Sequence, residues 1–146
     1  MNTLPLALLF ICLLSSTFSY LLHKADIKLH TKRNDKLNAV INIEKGQFED
    51  IVLKSEIPVI VDFYANWCGP CKAVAPVFNA VSDEYPETEV KFVKVDTDIH
   101  ESAVSAYNIQ GLPLFAIFKE GKVIASHSGA MSKDPMRKFV AKSITK

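Results

Sequence analysis

The sequence Trp67-Cys68-Gly69-Pro70-Cys71-Lys72 joins an apolar run, Val59 to Tyr64, to a stretch in which apolar residues recur at helical spacing. The apolar run predicts a buried strand and the recurring spacing predicts a helix, so the two thiols lie at a strand-to-helix turn. A Cys-x-x-Cys pair in that setting indicates a redox-active dithiol. We therefore expect the reactive site of the chain to lie at this turn.

The composition is that of one globular domain with an N-terminal extension. The chain has 146 residues, of which 49% are hydrophobic and 23% charged, and its formal net charge is +1. No basic stripe with interleaved aromatic residues is present, which argues against a nucleic-acid partner. Three cysteines, Cys12, Cys68 and Cys71, are too few for a disulfide-stapled scaffold, and the adjacent pair closes too short a loop to brace the chain.

Residues 1–38 are predicted to form a leader ahead of the domain. Leu4 to Leu14 is an apolar run of signal-peptide length, and no charged side chain precedes Lys24. We therefore interpret residues 1–19 as a signal peptide. The alternatives are a membrane anchor, with membrane association through residues 4–22, and another organellar presequence such as a mitochondrial one.

Residues 20–38 carry five basic residues against two acidic ones and show no sustained apolar periodicity. They form either a transit-like segment or a solvated basic linker. A signal followed by a basic transit-like segment resembles the bipartite leaders that send proteins through the secretory route into plastids of secondary origin. We expect entry into the secretory route and then an organelle such as a secondary plastid.

Residues 39–146 are predicted to fold as one α/β domain. The predicted strands are Val40–Ile43, Val59–Tyr64, Val90–Asp96, Leu114–Phe118 and Val123–Ser128, and the predicted helices run from Phe48 to Ser55, from the cysteines to Pro86, from Asp98 to Tyr107 and onward from Asp134. Parallel crossovers followed by a hairpin and a helix give a mixed five-stranded sheet flanked by four helices.

Local signals mark where three of these elements begin or turn. Asp98 with Glu101 three residues later forms a variant capping box that opens the third helix. Gly121 supplies the turn of the hairpin. Asp134 is placed to cap the last helix, with Pro135 at its first position.

The position of the thiols predicts their order of reaction. Cys68 lies at a helix N-terminus, where unpaired amides and a positive partial charge favour the thiolate. Cys71, one turn further on and more buried, is placed to attack the mixed disulfide that Cys68 forms. Pro70 fixes the backbone between them. A zinc site needs four ligands, and no second Cys or His pair accompanies the cysteines, so we expect no metal and no bound cofactor.

Asp62 is an acid inside the apolar strand, where burial raises the pKa of a carboxyl unless it finds a partner. Such a group is suited to take and return the Cys71 proton through water. The alternative is an edge-strand Asp that faces solvent. Lys94, on the adjoining strand, is placed to tune Asp62 or else to extend to the surface.

The residues alone leave two alternative roles for each of two further positions. Pro113 comes just before the fourth strand and is either a cis proline beside a ligand or an ordinary strand-start proline. Gly129 follows the last strand and either leaves room for a bound chain or makes a turn.

The chain resembles the thioredoxin family over about residues 39–146. The matching landmarks are Asp62-Phe63-Tyr64, Trp67 to Lys72, Pro76, Lys94, Gly111-Leu112-Pro113, Phe118 to Gly121 and Gly129-Ala130. The resemblance implies a cis Pro113 beside the disulfide, a buried Asp62 that assists Cys71, and Lys94 near Asp62. It also implies a substrate groove at Trp67, Pro113 and Gly129, to which we assign the adjacent Gly69, Pro70 and Leu112.

The Gly69-Pro70 spacer resembles the reducing members of the family. The resemblance therefore implies a protein-disulfide reductase that acts on disulfides of client proteins and is recharged by a thioredoxin reductase or another electron donor. The chain resembles organellar and bacterial-type thioredoxins, including plastid ones, more than the cytosolic animal type. Leu114 departs from the family, which usually has Thr after the cis proline, and this puts substrate preference in question.

Two other functions are compatible with the sequence. One is a thioredoxin-fold subunit of a larger membrane-associated or translocation assembly, in which the cysteines are secondary. The other is a secretory-pathway oxidant or isomerase, because a signal-like leader indicates an oxidising lumen whereas the spacer indicates reduction.

Overall fold

The computed structural model describes residues 40–144. The strands are β1 (Ile41–Asn42), β2 (Val59–Tyr64), β3 (Lys91–Asp96), β4 (Leu114–Lys119) and β5 (Lys122–Ser128), and the helices are α1 (Glu49–Leu53, a π-helical turn), α2 (Gly69–Ser82), α3 (Glu101–Ala106) and α4 (Lys133–Ile144). The predictions for residues 1–19 and 20–38 lie outside these residues. Within residues 40–144, every helix is too short or too polar to cross a membrane.

The strands form one mixed sheet in the order β1-β3-β2-β4-β5. β1 and β2 each run parallel to β3, whereas β4 is antiparallel to β2 and β5 is antiparallel to β4. Two parallel crossovers followed by a hairpin produce this arrangement. The predicted fold, a mixed five-stranded sheet flanked by four helices, is confirmed.

Two apolar clusters lie on opposite faces of the sheet, because successive side chains of a strand point to opposite sides. Ile60 of β2 packs in the cluster that holds Phe78 of α2 and Phe139 of α4. Val61, the next residue, packs in the cluster that holds Val52 and Ala103 from α1 and α3. Helices therefore cover both faces of the sheet.

Strand β2 is the centre of the sheet, and its first five residues are fully buried. Burial on both faces explains why the strand is a nearly continuous apolar run rather than an alternating one. The chain leaves the sheet after Tyr64 and enters α2 five residues later. The Cys-x-x-Cys turn is thereby attached to the best-buried strand.

A tight turn joins β4 to β5. Glu120 and Gly121 both have positive φ angles, 53° and 73°, which is the backbone that two-residue hairpin turns require. A Cβ atom at Gly121 would lie 3.1 Å from the backbone oxygen of Leu53. The predicted turn glycine is confirmed, and its missing side chain also lets the hairpin approach α1.

The predicted caps of the third and fourth helices are wrong. The N-cap of α3 is His100, whose side chain makes no capping hydrogen bond. The Asp98 carboxylate accepts from the indole of Trp67 instead. Helix α4 begins at Lys133, so Asp134 lies inside its first turn and accepts a hydrogen bond from Arg137. In both cases a long side chain engages the acid that was expected to cap the helix.

The other element bounds differ by a few residues from those predicted. Helix α2 ends at Ser82 rather than near Pro86, because the amides of Glu84 and Tyr85 bond in short turns to Val81 and Ser82. The remaining shifts are of one to three residues, and the largest is at the start of α3, which begins at Glu101 rather than Asp98.

Candidate active site

Cys68 and Cys71 form a disulfide at the N-terminus of α2. Cys68 is the N-cap residue, and its sulfur accepts a hydrogen bond of 3.2 Å from the amide of Cys71. Pro70 lies in the first turn of the helix, where a missing N–H costs no hydrogen bond. The amides and dipole of the helix thus point at the Cys68 sulfur, as a stabilised thiolate requires.

The two cysteines differ in what they face more than in overall exposure. Cys68 is 5% exposed and Cys71 is 3% exposed, so the expected contrast in burial is small. Cys68 lines a surface groove of about 520 Å³, and Cys71 is not among the residues that line it. An incoming molecule in this groove meets the Cys68 side of the disulfide first.

The groove extends from the cysteine turn to α3 and the loop before β4. Its lining residues are Trp67, Cys68, Gly69, Pro70, Thr97, Val104, Ile109, Gln110, Gly111 and Leu112. Four of the predicted binding residues, Trp67, Gly69, Pro70 and Leu112, are among them. Pro113 and Gly129 are not.

Pro113 and Gly129 form a backbone pair beside the groove instead. The Leu112–Pro113 peptide bond is cis, as the resemblance implies. The amide of Gly129, whose φ is +95°, donates a hydrogen bond of 2.8 Å to the Pro113 carbonyl. Leu112, on the other side of the cis bond, packs against the cluster formed by Ala65 and the two cysteines.

Trp67 is 71% exposed at the rim of the groove, yet its indole is held in place. The indole N–H donates to both carboxylate oxygens of Asp98, at 3.1 and 3.2 Å. The Asp98 amide in turn donates to the side chain of Asp96, which also accepts from Asn66. This chain of hydrogen bonds connects the residue before Cys68 to the end of β3.

Asp62 is fully buried beneath the site, as the residue pattern indicates. Neither of its carboxylate oxygens has a hydrogen-bond partner among residues 40–144. Burial raises the pKa of Asp62 from 3.8 to about 6, and the positive charge of Lys94 opposes that rise. The alternative of a solvent-facing Asp is excluded.

Lys94 lies directly beside Asp62 in the parallel register of β2 and β3. Its ammonium does not hydrogen-bond to the carboxylate but lies 4.3 Å from the centre of the Tyr64 ring. Lys94 is half-buried, so it is neither a free surface lysine nor an ion-pair partner of Asp62.

Comparison with known families agrees with this geometry. The family model described as Thioredoxin matches residues 39–142. The chain belongs to the thioredoxin family.

Relatives match the thioredoxin domain over nearly their whole length. Thioredoxin C-2 of Corynebacterium nephridii is 41% identical over 105 residues, which are 72% of this chain and 96% of that protein. Thioredoxin 1 of Synechococcus elongatus is 42% identical over 102 residues, covering 70% of this chain and 94% of that protein. The structure of Malassezia sympodialis thioredoxin, Mala s 13, superposes with a TM-score of 0.69 at 32% identity, covering 75% of this chain and 95% of that one.

Family membership and the Cys68–Cys71 pair together make this thioredoxin domain a thiol-disulfide oxidoreductase of the protein-disulfide reductase kind. Among residues 40–144, no three His, Cys, Asp or Glu side chains come together as a metal would require. Thiol exchange itself needs only the two sulfurs and a route for the proton.

The sequence did not predict the part of the groove formed by α3 and its flanking loops, nor the hydrogen-bond partner of Trp67. Val104 lies on α3, and Thr97, Ile109 and Gln110 lie in loops around it, where no periodic pattern marks a binding residue. The spacing of Asp98 to Glu101 predicts a helix cap rather than a contact with Trp67. No signal in the sequence marks the pairing with Trp67, because the N–H of an exposed indole can bond to water instead.

Proposed function

We propose that the chain reduces disulfides of client proteins in a fixed order, with Cys68 as the nucleophile and Cys71 as the resolving thiol. The observation that carries this order is that Cys68 both caps α2 and lines the groove, whereas Cys71 does neither.

The first step is attack by the Cys68 thiolate on one sulfur of a client disulfide. The client S–S bond breaks, a bond forms between Cys68 and that sulfur, and the other client sulfur leaves as a thiolate that takes a proton from water. The amide of Cys71 and the N-terminus of α2 stabilise the negative charge on Cys68 before attack.

The second step is attack by Cys71 on the Cys68 sulfur. The mixed disulfide breaks, the second client thiol is released, and the Cys68–Cys71 disulfide forms; two electrons and two protons have passed to the client. Asp62 takes the Cys71 proton, through water, and passes it on. A carboxyl with a pKa of about 6 is mostly ionised at pH 7 and still basic enough for this transfer.

Each cycle leaves the chain oxidised, so a second dithiol system must supply electrons. A thioredoxin reductase or a comparable donor attacks the disulfide from the groove side and returns both thiols to the reduced form. Trp67, Gly69, Pro70 and Leu112 would contact either partner, since they surround the accessible sulfur. Pro113 and Gly129 would offer backbone groups beside it.

Reduction of insulin disulfides by dithiothreitol, followed by turbidity, tests this function. The wild-type chain should accelerate precipitation, and the Cys68→Ser, Cys71→Ser double variant should not. Equal rates for both proteins, or no acceleration by either, would contradict the proposal. A redox potential as oxidising as that of secretory-pathway oxidases would instead favour the oxidant or isomerase alternative.

We also propose that residues 1–38 direct this organellar or bacterial-type thioredoxin into the secretory route and onward to an organelle such as a secondary plastid. The apolar run without charges before Lys24 and the basic stretch after it support this proposal. Relatives from Corynebacterium nephridii and Synechococcus elongatus are consistent with the subtype. A fluorescent protein fused to residues 1–40 should reach the organelle; secretion, retention in the endoplasmic reticulum or mitochondrial import would contradict it.

A further inference from the structure

Asp62 has four neighbours on its own face of the sheet. Ile60 and Tyr64 precede and follow it by two residues on β2, and Lys94 and Phe115 lie opposite it on β3 and β4. Ile60 and Phe115 are fully buried in the core, whereas Tyr64 and Lys94 are half-buried. Only the last two of these four therefore reach solvent.

Tyr64 and Lys94 are also in contact with each other. The ammonium of Lys94 lies 4.3 Å from the centre of the Tyr64 ring, within the range of a cation–π interaction. The interaction fixes the long side chain of Lys94 against the ring. Together the two side chains form the part of the surroundings of Asp62 on this face that reaches solvent.

Tyr64 further joins this pair to the sulfurs. Its side chain packs against the cluster that contains Ala65, Cys68 and Cys71. Burial, followed by the negative charges of Asp96 and Asp62, raises the pKa of the Tyr64 phenol. Tyr64 therefore contacts the cysteine cluster, lies on the same face of β2 as Asp62, and is itself partly open to solvent.

We propose that Tyr64 is a positioning residue of the redox site, whose ring, with Lys94 held on its face, caps Asp62 and keeps bulk solvent and the Lys94 ammonium from the carboxyl, so that only the water that relays the Cys71 proton reaches it. The function of the cap is to hold Asp62 in a form that exchanges a proton near neutral pH. This role rests on the proposed function of Asp62 as the proton acceptor for Cys71.

Removing the Tyr64 ring should lower the pKa of Asp62. Without the ring, bulk water and the Lys94 ammonium should gain access to the carboxyl, and both effects favour the charged form of Asp62. In the full-length Tyr64→Ala variant we expect the titration midpoint of Asp62 to fall by about one pH unit, a tenfold change in its ionisation constant. Tyr64→Phe keeps the aromatic face and should leave the midpoint unchanged.

The midpoint is measured by NMR on the oxidised chain labelled with 13C at the aspartate carboxyls, and the Asp62 resonance is assigned by its loss in Asp62→Asn. Tyr107→Ala is the matched control, because Tyr107 is also half-buried but packs on Phe48 and Phe118 in the opposite cluster. If Tyr64→Ala does not fold, Tyr64→Leu keeps apolar bulk without an aromatic face and should shift the midpoint in the same direction by less. An unchanged or raised midpoint in the Tyr64 variant, or an equal shift in Tyr107→Ala, would overturn the cap.

The pH profile of insulin reduction separates the cap from the role of Asp62. We expect the acid limb of the rate profile to move to lower pH in Tyr64→Ala, in step with the NMR midpoint. If the NMR midpoint moves and the rate profile does not, the cap is supported and the proton-transfer role of Asp62 fails. If the NMR midpoint of Asp62 is unchanged in Tyr64→Ala, the proposed role of Tyr64 is wrong, whatever the rates show.

Discussion

Trp67 and Asp98 are 31 residues apart in sequence, and the indole N–H of one donates to both carboxylate oxygens of the other. The bond fixes the most exposed aromatic side chain described in the structure at the entrance to Cys68. Asp98 belongs to the loop after β3, so the position of Trp67 depends on a part of the chain that the cysteine motif does not include.

Asp98→Ala should weaken client binding without slowing the chemistry. Loss of a hydrogen bond to a charged acceptor at an exposed site costs about 1 kcal/mol, which is roughly a fivefold rise in KM with unchanged kcat. Insulin-reduction kinetics measure both constants. Trp67 is the only tryptophan of the chain, so its fluorescence anisotropy should fall in the same variant. Asp98→Asn retains an acceptor and should show smaller changes; an unchanged KM with lowered anisotropy would contradict a binding role for Trp67.

Cys71→Ser should stop the reaction after the first step. Cys68 still attacks the client, but no resolving thiol remains, so a covalent complex with one insulin chain should accumulate on a non-reducing gel. Cys68→Ser should give no complex. A complex that forms through Cys71 instead would reverse the proposed order of attack.

Asp62→Asn should stabilise the chain at neutral pH. The pKa of Asp62 is raised from 3.8 to about 6 on folding, so the folded state binds the proton more tightly than the unfolded state. This contribution to stability is complete below pH 4 and is lost as the pH rises through 6. We expect the variant to be about 2 to 3 kcal/mol more stable than wild type at pH 8 and nearly equal to it at pH 4. Urea unfolding at the two pH values measures this, and a difference that does not depend on pH would exclude Asp62 as its source.

Gly121→Ala should destabilise the hairpin more than a matched glycine substitution elsewhere. Both Gly121 and Gly46 have positive φ angles, which cost an L-residue about 1 kcal/mol. A Cβ at Gly121 would in addition lie 3.1 Å from the Leu53 oxygen, whereas one at Gly46 would meet nothing within 4 Å. Thermal unfolding should therefore show a lower Tm for Gly121→Ala than for Gly46→Ala, and equal values would show that backbone strain alone decides the cost.

The sequence predicts best those features that a single segment determines. The bounds of β2 are predicted without error because its apolar run is bordered by Pro58 on one side and the cysteine turn on the other. The burial of Asp62 follows from the same run. The cis bond before Pro113 came from the family resemblance, since no local pattern requires it.

Features that depend on which long side chain engages an acid in the fold could not be predicted. Asp98 and Asp134 both occupy positions typical of helix caps, but Trp67 and Arg137 engage them in the fold. The groove likewise combines the cysteine turn with α3 and its flanking loops, which only the parallel pairing of β2 and β3 brings together.

The central position of β2 should make it one of the last strands to open in local unfolding. Two strands lie on each side of it, so local opening that begins at either edge must release both before the amides of β2 exchange with solvent. The short β1 and the exposed β5 should therefore fray on a much faster timescale than the strand that carries Asp62. Thiols can be oxidised and reduced many times at the end of a strand that is among the last to open.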